Sequence, residues 1–198
     1  MKRNGANKDP EQLPPFADDS NDILNAIVET PKNSRNKFKF DSERGLFKLK
    51  TLLPVGAVFP FDFGFIPSTI AEDGDPIDVL ILMDEPVAVG TLIEVRLVGI
   101  IEAEQTEKSK NGKETTRNDR LIAVSSVSYN YSEVRSLNDL NENLLDEIQH
   151  FFISYNEGRG KKFKVLGRYG PKRALELVKQ AEKRKGKEEK DSGRKKAA

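Results

Sequence analysis

The stretch EDGDPIDVL, Glu72 to Leu80, places four carboxylates within seven residues and then runs on through Val79, Leu80, Ile81, Leu82 and Met83. An apolar run of that length, bounded by turn residues, reads as a buried strand, so the charges sit at its mouth. Their spacings of two and three, with Gly74 between and Pro76 after, suit a turn rather than a helix face. Such a turn aims Asp73, Asp75 and Asp78 at one point. Carboxylates held that close raise one another's pKa and lose charge unless cations join them. A Mg2+-like ion, which takes oxygen ligands and keeps several waters, offsets that charge, and the turn reads as a metal site. An EF-hand does not fit. Counting Asp73 as the first loop position, the required Gly falls on Asp78 and the bidentate Glu on Asp84. The competing reading is a solvated acidic turn that caps a strand.

At 198 residues the chain is long enough for one domain with a real core and too short for two large ones. Its 33 basic and 32 acidic residues say little about partners, but their distribution says more. Residues 183–198 hold eight Lys or Arg against Glu188, Glu189 and Asp191. That surplus of five turns the formal +1 of the whole chain into −4 for residues 1–182. The absence of Cys excludes disulfides, thiolate nucleophiles and Cys-ligated zinc. The N-terminus MKRNGANKDPEQLPPF has no apolar h-region, and no apolar run nears the roughly 18–20 residues of a membrane span. The expectation is a cytoplasmic protein with no membrane partner.

Residues 1–20, polar and carrying Pro10, Pro14 and Pro15, are expected to be a disordered tail, as is the basic segment 186–198. The domain is placed at 21–185. Within it, strands are expected at Ile23–Thr30, in a hairpin of Lys37–Phe40 with Leu46–Lys50, and at Val79–Met83, Leu92–Glu102 and Leu121–Val127. From 137 the period becomes helical: Leu144, Ile148, Phe151, Phe152 and Tyr155 share a face. Pro171, at an N1-like position, opens a second helix through Leu175 and Val178. The plan is α+β, a small β-barrel with helices added late.

The segment FPFDFGFIPSTIAEDGDPIDVLILMDEP resembles the signature region of the family I soluble inorganic pyrophosphatases, Y-P-x-N-Y-G-x-I-P followed by D-G-D-P-x-D-V-L. Asp73 to Leu80 match every fixed position of the second half. VETPKNSRNKFKFD (28–41) is similar to the family's V-E-x-P-K-G-S-R-N-K-Y-E-Y-D, and FFISYN (151–156) extends the likeness downstream. The resemblance covers about residues 20 to 160. It implies a five-stranded OB-like barrel with flanking helices, and Mg2+-dependent hydrolysis of pyrophosphate by metal-activated water. It also implies a homo-oligomer that binds no nucleic acid.

Carried over position by position, the resemblance makes Asp73, Asp75 and Asp78 metal ligands, with Asp75, Asp78 and Glu29 catalytic. Lys37 and Tyr155 become substrate contacts; Arg120, which stands where the family has Lys, and Lys39, which as a hypothesis supplies the positive charge lost at Thr51, are added to them. Other positions depart from the pattern. Phe59 and Phe63 replace two tyrosines and Asp62 replaces an Asn. Lys39 stands for a Glu, Thr51 for an Arg, and Asn156 for a Lys followed closely by Arg159, Lys161 and Lys162. Within the insertion 102–120, Gln105 and Asn118 fall on two Asp positions, with Glu104, Glu107 and Asp119 as neighbouring acids, and KSKNGKETT reads as a solvated loop. His150 lies opposite the apolar face of its helix and reads as a surface residue. Two alternatives stand beside the pyrophosphatase reading: a hydrolase of another small phosphoanhydride, and a non-catalytic OB-like module that uses the basic tail. Lys37-Phe38-Lys39-Phe40 offers the interleaving such a module uses, yet the same alternation is that of a half-buried strand.

Overall fold

The computed structural model describes residues 9–109 and 112–196. Five strands close on themselves in the order β1 (Leu24–Thr30), β4 (Asp62–Phe65), β5 (Asp78–Leu82), β8 (Arg120–Ser125), β6 (Leu92–Ser109) and back to β1. This is the expected OB-like barrel. Only β5 and β8 run parallel within it. Between β1 and β4 in the chain, β2 (Asn36–Asp41) and β3 (Leu46–Leu52) form a separate hairpin, also as expected. Closure demands a tight crossing at Gly64, where a Cβ would lie 1.9 Å from the Ile27 carbonyl oxygen. No other residue fits there without moving β1.

The apolar run at 79–83 follows from burial on both faces of β5. Val79 and Ile81 join one core cluster with Val28, Val95 and Ala174. Leu80 and Leu82 join another with Phe63, Ile148 and Phe152. Helix α1 (Glu142–Glu157) covers the second cluster, and α2 (Pro171–Lys196) covers the first through Ala174, Val178 and Ala181.

Several elements differ from the sequence reading. The insertion is not a loop: β6 continues to Ser109 and pairs with β7 (Gly112–Arg117), whose polar sequence GKETTR suits a solvated two-stranded wing. Strand β9 (Lys162–Tyr169) flanks the same wing, with Phe163 turned into the core. No strand is expected there or at β4, although KFKVLGRY alternates. Helix α2 continues past 185 to Lys196 instead of ending in a disordered tail. Its first turns carry the nucleation cost, and adding Lys, Glu and Arg is then nearly neutral. Of the expected N-terminal tail, residues 1–8 lie outside the described residues, while 9–16 pack on the barrel and 17–20 are exposed. Asn25 donates its backbone N–H to Pro15 O (2.9 Å) and its side-chain amide to Pro14 O (2.9 Å), and Phe16 bridges to Leu24. Leu13 and Phe16 supply apolar anchors, and the prolines leave less backbone freedom to lose.

Candidate active site

The ends of these elements meet at a cavity of about 290 Å³. Glu29 comes from the end of β1, Lys37 and Lys39 from β2, and Asp78 and Arg120 from the starts of the parallel pair β5 and β8. Tyr155 and Asn156 come from the last turn of α1, and Asp73 and Asp75 from the acidic turn. That turn is closed by Ala71 N–H to Asp75 O (2.8 Å) and by Asp75 N–H to Asp73 Oδ1 (3.2 Å). Gly74 at φ +85° permits it. All eight side chains named from the sequence as site residues line this one cavity.

Cations and carboxylates pair inside it. Lys39 Nζ lies 2.6 Å from Asp75 Oδ2, and Arg120 Nη1 lies 2.6 Å from Asp78 Oδ2. Arg120 also donates to Asn118 Oδ1 and packs its guanidinium among Phe63, Phe152 and Phe163, while its buried Nε has no partner among the described residues. The Lys37 ammonium sits 4.3 Å from the Phe63 ring centroid and also faces Phe59 and Tyr155. The phenylalanines in the family's tyrosine positions are therefore core residues that roof a cation. Burial lowers the Lys37 pKa against the pull of Asp78 and Glu29. For Lys39 burial also disfavours the charge, but the hydrogen bond and attraction of Asp75 outweigh it and the pKa is raised. Burial raises the Asp73 carboxyl, the Asp75 amide opposes that, and Asp78 and Asp75 add to it. Tyr155 is raised by burial against Arg159, whose Nη1 donates to its hydroxyl at 2.8 Å.

Glu29 is 5% exposed, and burial lifts its pKa from 4.5 to about 7, opposed by Lys37 and by the Phe40 N–H at 2.7 Å. Between those values the folded chain holds a proton that the unfolded chain has released. Stability therefore falls as pH rises through this window, by on the order of 3 kcal/mol. In chelator, Glu29→Gln is expected to flatten that slope and to be more stable than the parent at pH 8. Urea titrations of both proteins at pH 5 and pH 8 check this, and parallel slopes would refute it.

Some departures from the family pattern acquire a geometry. Gln105 and Asn118 face each other across the wing, with Asn118 Nδ2 donating to Gln105 Oε1 at 3.0 Å, and both line the cavity. Two neutral amides there satisfy each other. Asp119 does not supply a replacement carboxylate, because it turns away to accept from Ala103 N–H and Arg117. Asp62 is fully buried and serves the fold, accepting from Lys32 N–H and Val87 N–H. Thr51 opens onto a neighbouring cavity with Arg35 and Arg159, and His150 is exposed. Arg159 and Lys161 line the main cavity. So do Lys50 and Glu11, which sequence reasoning missed. Lys50 is the extra residue at the bulge between the Lys37–Thr51 and Phe38–Leu49 pairs, and nothing local to DPEQLPPF places Glu11 there.

A family model described as inorganic pyrophosphatase matches residues 26–185. The chain is 37% identical over 167 residues to the inorganic pyrophosphatase of Thermus thermophilus, covering 83% of this chain and 91% of that one. It is 35% identical over 158 residues to that of Geobacillus stearothermophilus, covering 80% and 91%. Among solved structures, the Thermus thermophilus inorganic pyrophosphatase superposes with a TM-score of 0.78 at 34% identity, over 90% of this chain and 99% of that one. The Helicobacter pylori inorganic pyrophosphatase superposes with a TM-score of 0.75 at 30% identity, over 83% and 94%. Barrel and matches together define a hydrolase built on an OB-like fold. Within that class, the chain belongs to the inorganic pyrophosphatase family.

Proposed function

We propose that this chain hydrolyses inorganic pyrophosphate to two phosphates in a Mg2+-dependent reaction, with Asp73, Asp75 and Asp78 as the residues that hold the metal. The observation that carries the reading is the meeting of these three carboxylates with Lys37, Lys39, Arg120 and Arg159 around one cavity in a chain of this family. The donor set fits a hard cation, being entirely oxygen. Among the described residues no group of three His, Asp or Glu is disposed to hold a metal ion by protein ligands alone. Mg2+ needs none, since it keeps several waters and shares ligation with substrate phosphates. When bound, the metal neutralises phosphate charge and lowers the pKa of water from about 16 towards 7.

The chain's own residues position and neutralise the substrate. Lys37, Lys39 and Tyr155 contact its phosphoryl oxygens, and Arg120 backs them from the wall through Asp78. Phosphoryl transfer leaves little covalent work for a protein beyond this. Glu29 Oε1 is engaged by the Phe40 amide, which leaves Oε2 to take up or release a proton near neutral pH. Asp75 and Asp78 orient the attacking water. The test is phosphate release from pyrophosphate with and without Mg2+, beside nucleoside triphosphates. Pyrophosphate is expected to be the preferred substrate, with release abolished by chelator. Preference for a nucleotide would favour a different phosphoanhydride, and no release from any substrate would refute the catalytic reading.

A further inference from the structure

Outside the family-matched residues 26–185, one side chain reaches the catalytic cavity from the N-terminal segment. Glu11 sits in a short 3-10 turn, Pro10–Gln12, capped by Asp9 through the Glu11 N–H at 3.0 Å. The turn is fastened to the barrel by its main chain: Glu11 O accepts from Ser68 N–H at 2.8 Å, and Ser68 holds the strained φ of +50°. The Glu11 main chain therefore has a fixed place, from which its side chain lines the cavity. Burial and Asp9 raise the pKa of its carboxyl, while Lys185 and Lys39 pull it down.

That place is a wall between two cavities. A second one, of about 410 Å³, adjoins the catalytic cavity and shares Glu11, Lys39, Asp75 and Pro76 with it. Their charges differ. The catalytic cavity sets six cations against five carboxylates, whereas the adjoining one sets five carboxylates against Lys39, Lys185 and Arg44, the last pairing with Asp41 at 2.7 Å and with Glu43 at 3.9 Å from outside its wall. A two-phosphate anion held in the first meets its small positive surplus. A third phosphoryl group, extending past Lys39, would enter a region of net negative charge at close range. Discrimination of this kind comes from repelling the wrong substrate rather than from gripping the right one.

We propose that Glu11 is a specificity-determining residue that confines the site to two-phosphate substrates by repelling the extended chain of inorganic triphosphate. The assignment rests on the pyrophosphatase reading above. It acts through charge, so it weakens as salt screens the approach.

The experiment measures kcat/KM for inorganic triphosphate and for pyrophosphate in the parent, Glu11→Gln and Glu11→Lys, with melting temperatures as a check on folding. Because the segment is fastened through the Glu11 carbonyl, changing the side chain leaves its anchor in place. The triphosphate-to-pyrophosphate ratio is expected to rise in Glu11→Gln and to rise about tenfold in Glu11→Lys, with the difference from the parent shrinking at high salt. A change in the ratio smaller than about threefold in the folded Lys variant would overturn the assignment. If the parent splits no pyrophosphate, the functional reading falls first. If it does and the ratio stays put, only the role of Glu11 falls.

Discussion

Asp75→Ala is expected to lower Mg2+-dependent phosphate release by about 10²- to 10³-fold, the scale on which single groups that stabilise developing charge act. Its stability should barely change. The Asp75 side chain is 56% exposed and its ion pair with Lys39 spans the solvent boundary, so the pair is worth at most about 1 kcal/mol. Loss of activity without loss of fold separates a ligand from a structural carboxylate. A second readout comes from titration calorimetry of the substrate-free protein, where Mg2+ affinity should fall about tenfold or more. An Asp75→Ala protein that hydrolyses pyrophosphate at the parent rate would remove Asp75 from the site.

The second large effect concerns Arg120, where site and core coincide. Its side chain is 6% exposed, pairs with Asp78, bonds Asn118, and lies among three phenylalanine rings. Arg120→Ala leaves Asp78 without its partner and opens a void between those rings. The cost is about 3–5 kcal/mol, or a fall in melting temperature on the order of 10 °C for a domain of this size. Activity should fall with it, because Asp78 loses its orientation. Arg120→Lys keeps the charge but not the planar fork or the stacking, and is expected to recover only part of both. A melting temperature for Arg120→Ala within about 2 °C of the parent would show that the pair contributes little net stability.

Much of the barrel was legible because its strands obey simple periodicities. The run at 79–83 is apolar on both faces because β5 is buried on both faces, and the Lys37–Phe40 alternation puts Phe40 in the core and both lysines at the cavity. The same alternation argues against an aromatic nucleic-acid surface, since Phe40 is buried against Ile27 and Phe65. Reading failed where stability is borrowed from elsewhere. The β7 strand has no apolar residue of its own and exists because the overlong β6 offers it an edge. The last turns of α2 read as disordered by composition, but they extend a helix already started on Ala174, Val178 and Ala181.

The sequence by itself determined which groups gather at the site: carboxylates in a Gly-bearing turn at the mouth of a buried strand, lysines one strand away, and a tyrosine on a helix face. Only the acidic turn is a local pattern, set by turn geometry; the lysines and the tyrosine were assigned through the resemblance to the pyrophosphatase family. Tertiary structure alone decided how the charges are matched. Lys39 meets Asp75 and Arg120 meets Asp78 only because β2, the acidic turn and β8 converge from distant parts of the chain. It likewise decided that Asp119 turns away while Gln105 and Asn118 turn in, since that depends on the register of β6 against β7 and β8. Glu11 is the extreme case. Nothing in DPEQLPPF marks it, and it reaches the cavity because Ser68 and Asn25 fasten its segment to the barrel.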